Sequence, residues 1–186
     1  IVLGSLYLST GDTSFIHSTI IDGDSTDCTV AIYGNIDSTC RVTGFTIQNG
    51  VGCVYGQGAG IYVESASPRL DNLIIKNNIG GTNGGGICLN GNSNSLIDKV
   101  VIKNNSAETG GGLYSFNSNP VITNSVIQNN HSNNGAGVFL ELCSPNFENV
   151  SITNNNAVSS GGGIYCGLTS YPVLNHVTIS NNSGSH

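Results

Sequence analysis

Five segments of the chain begin alike, and the distance between them is nearly constant. They are Gly58-Ala59-Gly60-Ile61-Tyr62, Gly84-Gly85-Gly86-Ile87-Cys88, Gly110-Gly111-Gly112-Leu113-Tyr114, Gly135-Ala136-Gly137-Val138-Phe139 and Gly161-Gly162-Gly163-Ile164-Tyr165. Their third glycines are spaced by 26, 26, 25 and 26 residues. A second block accompanies them: Leu73-Ile74-Ile75-Lys76-Asn77-Asn78, Val100-Val101-Ile102-Lys103-Asn104-Asn105, Ser125-Val126-Ile127-Gln128-Asn129-Asn130, Val150-Ser151-Ile152-Thr153-Asn154-Asn155 and Val177-Thr178-Ile179-Ser180-Asn181-Asn182. Phe45-Thr46-Ile47-Gln48-Asn49-Gly50 is a looser, earlier copy. A period in this range belongs to solenoids, whose units bury apolar side chains only against their neighbours.

The unit is built of strands. Val177, Ile179 and Asn181 alternate with Thr178 and Ser180, which is the two-residue period of a half-buried strand. The apolar runs are short and bounded by Gly, Asn and Ser, as strands are. Helical repeats would need a 3.6-residue period, and leucine-rich repeats need Leu at fixed offsets with a helix; neither pattern is present. Stacking at about 4.8 Å places Ile47, Ile75, Ile102, Ile127, Ile152 and Ile179 in one inner ladder. Val42, Leu70, Ile97, Ile122, Phe147 and Leu174 form a second. The same alternation predicts a stacked asparagine ladder of Asn49, Asn77, Asn104, Asn129, Asn154 and Asn181, whose side chains hydrogen-bond along the coil. The glycines suit corners, where positive φ or close backbone approach is needed. Pro68, Pro120, Pro145 and Pro172 suit strand starts, where a missing N–H is tolerated.

Composition narrows the function classes. Hydrophobic residues are 38% of the 186, rich in Ile, Val and Leu, so the chain can bury a core and is not a disordered polymer. Charged residues are only 9%, and the net charge is −6. That balance argues against nucleic acid, which needs clustered cations. No apolar run approaches a membrane span. No secretory signal stands at Ile1; the chain opens in the strand-like run Ile1–Leu8, and the expectation is a segment of a larger protein. Six cysteines without a CxxC pair make zinc improbable. Cys28 and Cys40, flanking one turn of the solenoid, are the first disulfide pair to test, and most cysteines are expected to be small buried hydrophobes.

The Gly-Gly-Gly-Ile-Tyr, Ser-Pro-x-hydrophobic-x-Asn and Ile-x-Asn-Asn elements together resemble the pectin-lyase-like right-handed β-helix repeats of bacterial surface and secreted proteins. The chain is also similar to the polymorphic outer-membrane-protein repeats, at Phe147-Glu148-Asn149-Val150. Its opening, from Ile1-Val2-Leu3-Gly4-Ser5 to Phe45-Thr46-Ile47, resembles the first coils of large extracellular β-helix proteins. The resemblance spans essentially the whole chain. It implies an all-β, right-handed single-stranded parallel β-helix of about seven coils of about 26 residues. One domain would cover 1–186, with irregular coils over 1–56 and regular repeats over 57–186. It implies an extracellular or cell-surface setting in bacteria, and leaves activity open, because the fold hosts lyases, hydrolases, adhesins and stalks.

Several side-chain groups are candidates for chemistry. Asp71, Asp98 and Glu148 hold equivalent positions in different coils, with Thr123 between them. Asp71 and Asp98 could meet the spacing of a glycosidase carboxylate pair, although no base or His completes a site and a solvated column is the favoured reading. Asp22, Asp24 and Asp27 could hold Ca²⁺, weighed against a plain Asp-Gly turn. His17, His131, His176 and His186 are scattered and suggest no triad. Tyr62, Tyr114, Phe139 and Tyr165, with Cys88 among them, are expected to point outward in a column that could hold sugar rings or a partner surface. The competing role is stacking that stabilises the sheet or lies under a loop. Ile74, Val101 and Val126 make a second outward column. The combined expectation is a non-catalytic structural or adhesive module that binds polysaccharide or a surface protein, or self-associates end to end, without a cofactor. The alternative is a carbohydrate-active enzyme, a polysaccharide lyase or glycoside hydrolase. No capping helix is expected at either end.

Overall fold

The computed structural model describes residues 1–185; His186, and any role for it, lies outside the described residues. The first coil holds β1 (Val2–Gly4), α1 (Tyr7–Thr10), α2 (Ser14–Ser18), β2 (Ile20–Asp22) and β3 (Val30–Tyr33). The second holds β4 (Arg41–Thr43), β5 (Thr46–Gln48) and β6 (Ile61–Glu64); the third, β7 (Arg69–Lys76) and β8 (Ile87–Asn90); the fourth, β9 (Leu96–Lys103) and β10 (Leu113–Phe116). The fifth holds β11 (Val121–Thr123), β12 (Val126–Gln128), β13 (His131–Asn134) and β14 (Val138–Glu141). The sixth holds β15 (Asn146–Glu148), β16 (Ser151–Thr153), β17 (Asn156–Ser160) and β18 (Ile164–Cys166), and β19 (Val173–Asn175) and β20 (Thr178–Ser180) open a seventh. The chain thus makes about six full turns.

Every strand pairing is parallel and joins one coil to the next. β1, β4, β7, β9, β11, β15 and β19 form the first leg, and β2, β5, the far halves of β7 and β9, β12, β16 and β20 form the second. β3, β6, β8, β10, β14 and β18 form a separate sheet, and β13 with β17 a short one. The two aliphatic ladders lie inside as the repeat requires. Ile47, Ile75, Ile127 and Ile152 are fully buried, as are Leu70, Ile97, Ile122 and Phe147, while Leu174 and Ile179 of the last coil are exposed. One continuous core joins them with Ile61, Ile87, Leu113 and Val138 of the third leg.

The asparagine ladder is displaced by one residue from its expected position. Asn49, Asn77, Asn104, Asn129, Asn154 and Asn181 occupy the left-handed region, with φ between 55° and 59°. Their side chains turn outward, and it is the following residues, Asn78, Asn105, Asn130 and Asn155, that are buried. Side chain donates to side chain along the stack: Asn78 Nδ2 to Asn105 Oδ1 at 2.9 Å, Asn105 to Asn130 at 3.1 Å, Asn130 to Asn155 at 3.0 Å and Asn155 to Asn182 at 2.9 Å. Strand alternation, carried past the last strand residue, gives the wrong parity, because the left-handed residue reverses it. Asparagine tolerates that conformation better than other L residues, so one residue of each pair makes the corner and the other fills the inside.

The third glycine of each repeat is required by close approach rather than by φ. A Cβ at Gly112 would lie 2.5 Å from the Gly137 carbonyl oxygen and 3.0 Å from Ile127 Cγ2, inside contact distance of backbone that cannot move aside. The irregular amino-terminal region has a specific cause. Ser5–Thr19 is inserted between β1 and β2, where the second coil connects β4 to β5 through Gly44 and Phe45 alone. The strand-like run expected over Ile1–Leu8 therefore ends at Gly4, and α1 begins at Tyr7. Of the two short helices, α2 lies against β5 and β7 of the next coils.

Candidate functional site

Asp71 and Asp98 are brought side by side, in register on β7 and β9. Asp71 is fully buried and saturated with donors. Arg41 binds it in bidentate fashion, Nε to Oδ1 and Nη2 to Oδ2, both at 2.7 Å. Arg69 Nε donates at 3.0 Å, Thr43 Oγ1 at 2.9 Å, and Asn72 Nδ2 completes the shell. Burial alone would push its carboxyl up, but the arginine, threonine and asparagine donors outweigh that and lower it to about 2. Asp98 accepts from Thr123 Oγ1 at 2.7 Å and Asn124 Nδ2 at 2.8 Å, with Arg69 Nη2 at 3.8 Å from its other oxygen. A general acid needs a raised pKa and a base needs free lone pairs. Asp71 has neither, and with Asp98 it belongs to an ionic and hydrogen-bonded cluster whose members come from coils two to five.

The aromatic column exists but is not an open platform along its length. Tyr114 stacks on Phe139 with ring centroids 5.4 Å apart, and Phe139 on Tyr165 at 4.7 Å. Tyr62 is only 3% exposed and Tyr114 only 7%. Cys28 and Cys53 pack over this end of the column, with Phe116 alongside. Gln57 adds a side-chain lid, its Oε1 accepting from Asn90 Nδ2 at 3.2 Å. Burial pushes both the Tyr62 and Tyr114 hydroxyls up to about 12. Phe139 and Tyr165 alone keep partial exposure.

The disulfide joins Cys28 to Cys53, with Cα atoms 4.7 Å apart, not to Cys40. Cys28 precedes β3 and Cys40 follows it, on different corners of one coil, whereas Cys28 and Cys53 occupy corresponding places in successive coils. Only Cys88 and Cys143 are the buried free thiols expected of most of the cysteines; Cys40 is half-buried and Cys166 exposed. Asp22 is engaged locally, accepting from Gln48 Nε2 at 2.8 Å, Asn49 Nδ2 at 2.9 Å and the Asp24 N–H at 3.0 Å. Among the described residues, Asp22, Asp24 and Asp27 do not bring carboxylate oxygens into one cluster; Asp27 instead lies beside the two disulfide sulfurs, which have no lone thiolate to offer a metal. The arrangement of the acidic stretch is that of a hydrogen-bonded turn. His17, His131 and His176 are exposed on separate elements.

One open concavity runs along the outer corner between the first and second legs. Asn124, Asn149, His176, Val126, Ser151 and Thr178 line a groove of about 370 Å³. Sequence reasoning found only part of it, in the outward column of Ile74, Val101 and Val126. The corner residues were missed because their role depends on the left-handed backbone at Asn124, Asn149 and His176.

Parallel coils, inner ladders and left-handed corners are the construction of a known family. The sequence model for the right-handed β-helix region matches residues 5–184. The chain belongs to the right-handed β-helix family. No curated protein and no solved structure matches it. Within this β-helix, Asp71 and Asp98 hydrogen-bond across successive coils, the aromatic column is half covered, and the corner groove is an open hollow where several polar side chains face solvent.

Proposed function

We propose that the chain is a non-catalytic structural module of an extracellular or cell-surface bacterial protein, a rigid β-helix whose outer face binds glycan or protein. The observation that carries this reading is the state of Asp71, buried and held ionised by two arginines, a threonine and an asparagine. The Cys28–Cys53 bond supports an oxidising compartment. The bacterial setting rests on the resemblance of the repeats. Rigidity is supported by a core and an asparagine ladder that run unbroken through successive coils. The test is turnover: the chain is incubated with polygalacturonate and alginate, and new reducing ends and unsaturated ends are counted. No product above a protein-free control is expected. Turnover that disappears in Asp98→Asn would establish the carbohydrate-active alternative instead.

A further inference from the structure

The outer corner that carries this groove is covered by polypeptide in coils two and three, where the inserted segment Ser5–Thr19 packs against it. Thr46 Oγ1 donates to the Ile16 carbonyl oxygen at 2.8 Å, and Tyr7 Oη donates to Asn72 Oδ1 at 3.0 Å. α2 rests against β5 and β7, and under it Thr46 and Ile74 are 2% and 8% exposed. Three chemical features therefore hold the segment: an outward hydroxyl on the second leg, a branched aliphatic side chain next to it, and a corner asparagine.

The same three features recur further along, uncovered. Strand register places Thr46, Ile74, Val101, Val126, Ser151 and Thr178 in one column. Asn72 is followed at the corner by Lys99, Asn124, Asn149 and His176, all left-handed like it. Val126 supplies the branched aliphatic group, Ser151 and Thr178 the hydroxyls, and Asn124 and Asn149 the amides, around the 370 Å³ hollow. Ser5–Thr19 contains one aspartate and no lysine or arginine, so the contacts that seat it are hydrogen bonds and apolar burial rather than ion pairs.

We infer that the open stretch of this groove, over coils five to seven, is a docking site for a polypeptide segment, one that carries little charge and presents a main-chain carbonyl to Ser151 or Thr178 and a tyrosine hydroxyl to Asn124 or Asn149. This deepens the outer-face reading above by naming the face and the class of partner. The occupant is protein rather than sugar because the same outer corner, one coil away, holds protein through the same kinds of group, a hydroxyl, a branched aliphatic side chain and a corner asparagine.

The probe is a synthetic peptide of residues 5–19, titrated into the full chain while backbone amide shifts are followed. Saturable shifts confined to residues 124–126, 149–151 and 176–178 are expected. Ser151→Arg and Val126→Arg, which fill the groove from outward positions, should each weaken binding at least tenfold, and Val158→Arg on β17 should leave it unchanged. Absence of shifts in the groove, or shifts that survive both arginine variants, overturns the inference. An oligogalacturonide that shifts these amides where the peptide does not also overturns it, while leaving the outer-face module standing. Cleavage of that oligosaccharide in the same tube would overturn the module itself.

Discussion

Asn130 donates through Nδ2 to Ile102 O and Asn155 Oδ1, and its own Oδ1 accepts from the main chain and side chain of Asn105. Asn129, next to it, makes the corner with an exposed side chain. The two asparagines should therefore respond differently to substitution. Asn130→Ala leaves the buried Asn105 main-chain N–H and side-chain amide without their acceptor and is expected to cost about 2–3 kcal/mol. Asn129→Gly keeps the left-handed backbone and should change the urea unfolding free energy by no more than about 0.5 kcal/mol. Gly112→Ala should cost about 1–3 kcal/mol by overpacking, since the obstructing atom is the Gly137 carbonyl rather than a movable side chain. Equal losses in Asn129→Gly and Asn130→Ala would contradict this division of labour. The presence of an asparagine ladder was legible in the repeated Asn-Asn pairs. Which member is inside was not, because a left-handed residue changes parity and strand alternation carries no sign of it.

At the scale of strands and corners, the repeat disclosed nearly everything that recurs and little that occurs once. The inner ladders of Ile75 and Leu70 follow from alternation, and their register is the one expected. The insertion at Ser5–Thr19, the cover over Tyr62 and the Cys28–Cys53 bond each occur once, so no periodicity marks them. The outward direction of Tyr62 and Tyr114 was readable, and cover by a loop was one of the two roles open to them; which groups pack against the column, Cys28 and Cys53 among them, was not. That bond ties the first coil to the second across a sequence separation of 25, for which chain entropy gives about 3.5 kcal/mol. Replacing both cysteines with serine should loosen the first coil selectively, since solenoid units feel chiefly their neighbours. Hydrogen exchange should quicken in β2 and β3 and stay unchanged in β14 and β16. Uniform acceleration through all coils would show that the molecule responds as one cooperative block.

Across the whole molecule, five positive charges from Lys and Arg face eleven Asp and Glu, and both arginines are committed to one cluster. Arg41 and Thr43 come from the second coil, Arg69, Asp71 and Asn72 from the third, Asp98 from the fourth, and Thr123 and Asn124 from the fifth. A general acid or base at Asp71 needs a carboxyl that exchanges protons near neutral pH; the structural reading needs one that stays ionised and has its oxygens taken up by donors. The folded carboxyl is lowered to about 2 from an ordinary 3.8. A depressed folded value means the stabilisation is fully present above the unfolded value and is lost as pH falls from about 4 through about 2, amounting to about 2 kcal/mol. The decisive measurement is the unfolding free energy of the native chain and of Asp71→Asn against pH from 6 to 2. The native chain should be the more stable by about 2–3 kcal/mol at pH 6, and the gap should narrow as the pH falls through that window. A gap that is absent at pH 6, or that does not change down to pH 2, would contradict a structural role for the cluster.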